Sequence, residues 1–450
     1  MKRKMTDRLA EWKKRSNGTS ALLVQGARRV GKSYIVEEFA KTAYRSYILI
    51  DFNKADKSVR DIFEYDLDNM DMLFQKLSTL YNKKLYPRES LIIFDEVQLF
   101  PRARSAIKYL VEDGRYDYIE TGSLISIRKN VEGILIPSEE DVINMYPMDF
   151  EEFLWALGNE TMYPLIVDCF QKQKPLGQAL HRKAMDLFRL YLIVGGMPQA
   201  VKAYTETQDF DVVDAAKRRI LKLYREDIRK HAAGYEMKVE AIFDEIPSQL
   251  RNQNQHFKLS SLEKGARFDN YRDAMFWLSD AMIINNCYNS TEPNIGLNLN
   301  RDRTLLKCYM GDTGLLVSHC FDEKGIVSEE IYKKLLLDKL EVNLGMVMEN
   351  AVAQMLTSSG HKLFFYANSS RDNSEARMEI DFLIAKSKIS NRHNISPIEV
   401  KSGKNYTLSS INKFIRRYTD QLHTPFVLHT NDLKVENGIV YLPIYMTALL

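Results

Sequence analysis

The segment Gly26-Ala27-Arg28-Arg29-Val30-Gly31-Lys32-Ser33 follows the apolar run ALLVQ (21–25) and opens a helical pattern from about Ser33 to Tyr44. No other feature limits so closely what this chain can fold into. In a G-x-x-x-x-G-K-[ST] loop the glycines let the backbone wrap so that successive N–H groups converge on phosphate oxygens at a helix N-terminus. Lys32 would bridge the terminal phosphates, and the Ser33 hydroxyl would complete the coordination of Mg²⁺. With Tyr34 next on the helix, residues 26–34 are the expected nucleotide-binding set, with ATP and Mg²⁺ as its ligands.

Such a loop needs a second group on the metal side, and LIIFDE (91–96) supplies one. Four apolar residues make a buried strand whose end presents Asp95 to hold Mg²⁺ and Glu96 to polarise the attacking water. Thr121 and Ser123 close the next apolar run, Tyr116–Glu120, and are placed to hydrogen-bond a γ-phosphate or the lytic water; turn chemistry is the competing role. The expected catalytic set is Lys32, Asp95, Glu96 and Thr121. With Ser46–Phe52 as a further strand and helical stretches between, the alternation predicts an α/β domain on a mostly parallel sheet.

At 450 residues, 45% hydrophobic and 27% charged, the chain is globular and long enough for two to four domains. Lys plus Arg total 63 against 60 for Asp plus Glu, which excludes nucleic-acid binding by bulk charge and leaves only a local site. The four cysteines form no C-x-x-C pair and are expected to be reduced. Neither a signal peptide nor a run of about 18 apolar residues is present, so a cytoplasmic protein without a membrane span is expected.

Composition and periodicity divide the chain into an ATPase core (1–155), a helical lid or adaptor (156–235), a winged-helix-like segment (236–300) and an α/β tail (301–450). In the winged-helix-like part, three short helices (237–251, 259–266 and 270–282) precede a strand pair; Tyr271 and Arg272 would reach phosphates or base edges if it contacts DNA, while the balance of Arg267 and Arg272 against Asp269, Asp273 and Asp280 leaves protein contact equally open. In the tail, Glu349 lies on a helix and Asp381 on a strand. Glu399 and Lys401 share one face of the next strand, because side chains alternate with period two. Carboxylates converging on a divalent cation, with a lysine beside the attacking water, make a metal-dependent phosphodiesterase. An ordinary surface ion pair is the plainer account of Glu399 and Lys401. Lys404, Lys413, Arg416 and Arg417 add a basic surface suited to a phosphate backbone or to solvent alone.

The set QGARRVGKS, FDEVQ, ETGS, YPMDFEEFL (146–154) and VGGMPQAV (194–201) resembles a large bacterial and archaeal family of AAA-type P-loop ATPases with a C-terminal domain of unknown function. CYMGDTGLL (308–316), GMVMENAVAQML (345–356), EIDFLI (379–384) and IEVKSG (398–403) extend the resemblance over nearly the whole chain. The tail is similar to the restriction-endonuclease-like fold, whose motif is an Asp, a Glu-x-Lys on the following strand and a helix Glu. The resemblance implies ATP hydrolysis and, at the tail, a second divalent metal. One departure stands out: where the family carries a small residue and an arginine before the Tyr-Pro segment, this chain has Gly133-Ile134-Leu135-Ile136-Pro137 and the acids Glu139 and Glu140. Arg128, Arg225 and Arg229 are then the candidates for a charge-stabilising arginine. Three functions stay open: a nucleotide switch governing DNA engagement by the tail, an ATP-regulated metal-dependent nuclease, and a signalling or scaffold ATPase for protein partners. Oligomeric state is not readable from the sequence.

Overall fold

Four apolar runs separated by helical stretches become four parallel strands. The computed structural model describes residues 1–123, 138–232, 234–252, 256–294, 296–321, 332, 344–368, 377–385, 394–403 and 405–450. By its internal contacts the chain divides into two units, Met1–Tyr146 with Asp280–Met282, and Pro147–Ser279 with Ile283–Leu450.

The first unit holds β1 (Ala21–Gln25), β2 (Ser46–Asp51), β3 (Ser90–Asp95), β4 (Asp117–Gly122) and β5 (Glu140–Asn144), with helices α1 (Met5–Ser16), α2 (Lys32–Ala43), α3 (Lys57–Tyr65), α4 (Met70–Tyr81) and α5 (Pro101–Asp113). Strand order is β2-β3-β4-β1-β5, and every pairing is parallel. β3 and β4 are buried along their whole length, as central strands covered by helices on both faces must be. Phe52, Phe63, Phe94 and Phe100 pack their rings together on one of these faces. This unit is the α/β P-loop NTPase fold that the sequence predicts, with β5 as an additional edge strand.

The second unit begins with α6 (Phe150–Ala156), α7 (Met162–Gln171), α8 (Gln178–Val194), α9 (Pro198–Thr207) and α10 (Phe210–His231). Asp149 accepts from Glu152 N at 2.9 Å while the Glu152 carboxylate accepts from Asp149 N, so YPMDFEEFL is a capping box that starts α6. There follow α11 (Glu236–Arg251), α12 (Phe268–Asp280), β6 (Ile284–Ser290), β7 (Arg301–Met310), α13 (Thr313–Cys320), α14 (Leu344–Ser358), β8 (Phe364–Asn368), β9 (Met378–Ala385), β10 (Ile395–Val400), α15 (Ser409–Tyr418), β11 (Phe426–His429), β12 (Lys434–Glu436) and β13 (Ile439–Pro443). The eight strands form one mixed sheet in the order β12-β13-β11-β10-β9-β8-β6-β7.

The expected divisions at 235 and 300 both lie within the second unit. In the sheet, β6 pairs with β7 and with β8, Tyr288 opposite Phe364. The helices expected as a lid of the ATPase core fall in the second unit, where Gln354 of α14 donates to Tyr191 of α8 at 3.0 Å. Of the helix expected over 259–266 only the turn Leu259–Ser261 forms, and Gly265 at φ +81° lies beyond it in a conformation a helix cannot continue.

Candidate functional site

The loop between β1 and α2 turns through two residues of positive φ, Arg29 (73°) and Gly31 (98°), and delivers Lys32 as the first residue of α2. Gly26 is required by proximity: a Cβ there would lie 2.3 Å from Met145 O. Arg3 holds the loop from outside, donating to Val30 O at 3.0 Å and to Tyr146 O at 2.8 Å. The buried Lys32 ammonium donates to Gly26 O at 3.0 Å and Ala27 O at 3.1 Å, which fixes the amine over the loop. Arg28, Arg29 and Tyr34 are exposed at its mouth.

β4 lies between β1 and β3, and this insertion arranges the rest of the site. Ser33 Oγ donates to Asp95 Oδ1 at 2.6 Å across the end of the sheet. Thr121, fully buried at the end of β4, donates to the same Asp95 oxygen and accepts from Glu96 N at 3.4 Å. A hydroxyl has one proton to give, and here Thr121 gives it to the acid. Glu96 turns with φ 54°, and its carboxylate accepts from Gln98 Nε2. The loop, Ser33, Asp95, Glu96 and Thr121 are thus brought together as expected.

Near the far end of β5, Arg104 Nη2 lies 2.8 and 3.1 Å from the two oxygens of Glu140, both side chains being buried. Glu120, wholly buried, stands beside this pair; burial first, and then the Glu140 carboxylate, push its pKa well above the carboxylate range. Glu140 therefore serves a buried ion pair where the family pattern has other residues. Of the arginine candidates, Arg225 pairs with Asp244 at 3.0 Å and Arg229 with Glu240 at 2.6 Å, both acids on α11. Arg128, with Gly133–Pro137, and Lys404 lie outside the described residues.

In the second unit, Lys307, Glu349, Glu379, Asp381, Glu399 and Lys401 line a cleft of about 300 Å³. Ile398 faces Phe382 in the antiparallel β9–β10 pairing, and the next step of that register sets Glu399 opposite Asp381. Val400 N donates to Asp381 Oδ2 at 2.7 Å, and Lys401 Nζ to Glu399 Oε1 at 2.7 Å. The other Glu399 oxygen, Oε2, is buried without a hydrogen-bond partner among the described residues. Lys307 Nζ of β7 sits 3.1 Å from Glu349 Oε1 and 2.9 Å from Glu379 Oε1, and Tyr309 OH also donates to Glu349. Burial opposes the Lys307 charge, yet Glu349, Glu379 and Asp381 together raise its pKa well above the lysine range. Burial, then the charges of Glu399 and Glu349, raise that of Asp381 well above the carboxylate range.

Sequence reasoning found Glu349, Asp381, Glu399 and Lys401 but missed Lys307, Tyr309 and Glu379. Glu379 had a signal, since it shares a strand face with Asp381 two residues on; Lys307 had none. Among the described residues, no three His, Cys, Asp or Glu side chains are grouped so as to hold a metal ion. On α12, Tyr271 is buried with its OH donating to Glu263 at 3.0 Å, and the half-exposed Arg272 pairs with Asp269 at 3.2 Å. On α15, Ile411 and Phe414 face the core while Arg416 and Arg417 are exposed. The cysteines are free thiols, three of them buried. No helix among the described residues is long and apolar enough to cross a membrane.

Three family models each match part of the chain. Residues 18–154 match an AAA domain, 185–324 a domain of unknown function (DUF8612) and 344–447 another (DUF4143). No curated protein matches the chain. Similar solved structures include the Walker-type ATPase PABY2304 of Pyrococcus abyssi, 15% identical over 71% of this chain and 95% of that one, with a TM-score of 0.41. The ORC1 protein of Aeropyrum pernix in complex with DNA is 11% identical over 72% and 93%, with a TM-score of 0.27. AMPPCP-bound DnaA from Aquifex aeolicus is 11% identical over 62% and 90%, also at 0.27. Residues 18–154, which match the AAA domain, thus hold the phosphate loop and the five-stranded parallel sheet.

Proposed function

We propose that this domain binds and hydrolyses Mg-ATP. The observation that carries the reading is the Ser33–Asp95 contact of 2.6 Å beside a Lys32 amine held over the loop, because these are the hydroxyl, carboxylate and ammonium that a Mg-triphosphate requires. The donor set fits: Ser33 and Asp95 would hold Mg²⁺, and the loop 26–33 would cradle the phosphates. Bound Mg-ATP supplies a transferable γ-phosphoryl group with its charge partly neutralised. Lys32 then draws the terminal phosphates toward the loop, Thr121 keeps Asp95 oriented, and Glu96, steadied by Gln98, aligns and deprotonates the attacking water. Lys32→Ala is expected to abolish ATP binding measured by calorimetry. Glu96→Gln is expected to keep binding and slow turnover by about 100-fold or more. Tight ATP binding by Lys32→Ala would overturn the reading.

The domain acts, in this reading, as a nucleotide switch controlling how the tail engages DNA. Two charged sites in one chain support it, and the exposed arginines of α15 offer a surface for backbone phosphates. A second reading, an ATP-regulated metal-dependent nuclease, is favoured by the unpartnered Glu399 Oε2 in the cleft, since a buried carboxylate oxygen without a partner is costly. Mg²⁺- or Mn²⁺-dependent cutting of plasmid DNA, lost on Lys401→Ala, would establish it. DNA binding without cutting leaves the switch alone, and turnover and binding indifferent to DNA point to a scaffold ATPase with protein partners.

A further inference from the structure

The cleft of the second unit contains a lysine that no nuclease motif calls for. Lys307 comes from β7, outside the 344–447 segment that supplies every other charged group there, and its ammonium touches Glu349 and Glu379 together. A cation between two carboxylates stands where a metal ion would otherwise be held. Its presence divides the acids into two pairs. Glu349 and Glu379 each turn one oxygen, Oε1, to Lys307, and Tyr309 donates to the same Glu349 oxygen. Asp381 and Glu399, on neighbouring strands β9 and β10, have other partners: Asp381 accepts from Val400 N, and Glu399 gives Oε1 to Lys401 while its buried Oε2 has no partner among the described residues. This division accounts for the lack, among the described residues, of any group of three acids arranged to hold a metal. The lining points the same way. Four acids face two ammonium groups in the cleft, an excess of acids that favours a bound cation.

We propose that Lys307 is a resident cation that limits the cleft to one divalent metal ion, held by Asp381 and Glu399, by occupying the place a second ion would take. The inference rests on the metal-binding reading of the tail and specifies its stoichiometry. It also makes the site composite, because the segment carrying β7 sets the metal content of the segment carrying the acids.

The test is a Mn²⁺ titration by calorimetry of the full-length chain, carrying Asp95→Asn to silence the P-loop and free of nucleotide. One Mn²⁺ per chain is expected, lost on Glu399→Gln. Adding Lys307→Met frees Glu349 and Glu379, so a second Mn²⁺ is expected, or binding of the first at least about tenfold tighter through the added negative charge. An unchanged single site in Lys307→Met overturns the role of Lys307 while leaving the metal reading intact. No Mn²⁺ bound by the parent overturns both. Should Lys307→Met fail to fold, Lys307→Met/Glu349→Gln preserves the charge excess: it is expected to take one Mn²⁺, and two or none overturns the proposal.

Discussion

Glu120 is a carboxyl group with no access to water, beside a second carboxylate and a single arginine. Its folded-state pKa is raised well above the ordinary value, so the folded protein binds a proton there that the unfolded chain releases. Stability from this group is therefore present at low pH and declines as pH rises past the unfolded pKa toward the folded one. Glu120→Gln removes the titration while keeping the shape. Relative to wild type, the variant is expected to gain stability as the pH is raised from about 5 to about 8, measured as the difference in denaturant midpoints at each pH. A constant difference would mean that Glu120 is ionised in the folded protein. Single-residue chemistry was legible where it is local: each specified position in 26–33 has a role that neighbouring backbone explains. Arg3, which clamps the same loop, was not, since it is one of many charges on a helical N-terminus and its partners lie 27 and 143 residues away.

LIIFDE was readable because the apolar run of a strand buried along its length is continuous, and MEIDFLIA because its first half alternates; the expected ranges agree with β3 and β9 to within a residue or so. β5 was missed for the converse reason: EDVIN is polar and partly exposed, and only pairing with β1 makes it a strand. The helix Thr313–Cys320 was missed because it is buried nearly all round, without polar periodicity. Its start explains two resemblance motifs at once. Asp312 caps α13 through Leu315 N at 2.9 Å and accepts from Gly196 N at 2.6 Å, joining GDTGLL to VGGMP. A Cβ on Gly314 would lie 2.5 Å from Gly195 Cα and N, which are backbone atoms unable to yield. Gly314→Ala is expected to destabilise the second unit by about 2–3 kcal/mol through overpacking, read from the shift of its unfolding midpoint; a shift near zero would show that these two turns separate easily.

At the scale of the whole molecule, the chain divides by contacts into two units, and the expected divisions at 235 and 300 fall inside the second. The reason is pairing: β6 and β7 complete an eight-stranded sheet whose other strands begin at Phe364, and α8 is tied to the tail where His181 meets Thr430 O at 3.0 Å and Gly177 N donates to Asp432 at 2.8 Å. The sequence alone determined the P-loop, the strand that carries its acid, and the α/β class, because turn chemistry, helix N-termini and apolar runs are properties of contiguous residues. Only the tertiary structure decided that Thr121 contacts Asp95, that the strand Ile284–Ser290 pairs into a larger sheet, and that Lys307 stands among the acids of the tail. Those outcomes depend on which distant segments share a sheet or a cleft, and the energy of such contacts belongs to pairs of residues whose separation along the chain leaves no periodic trace.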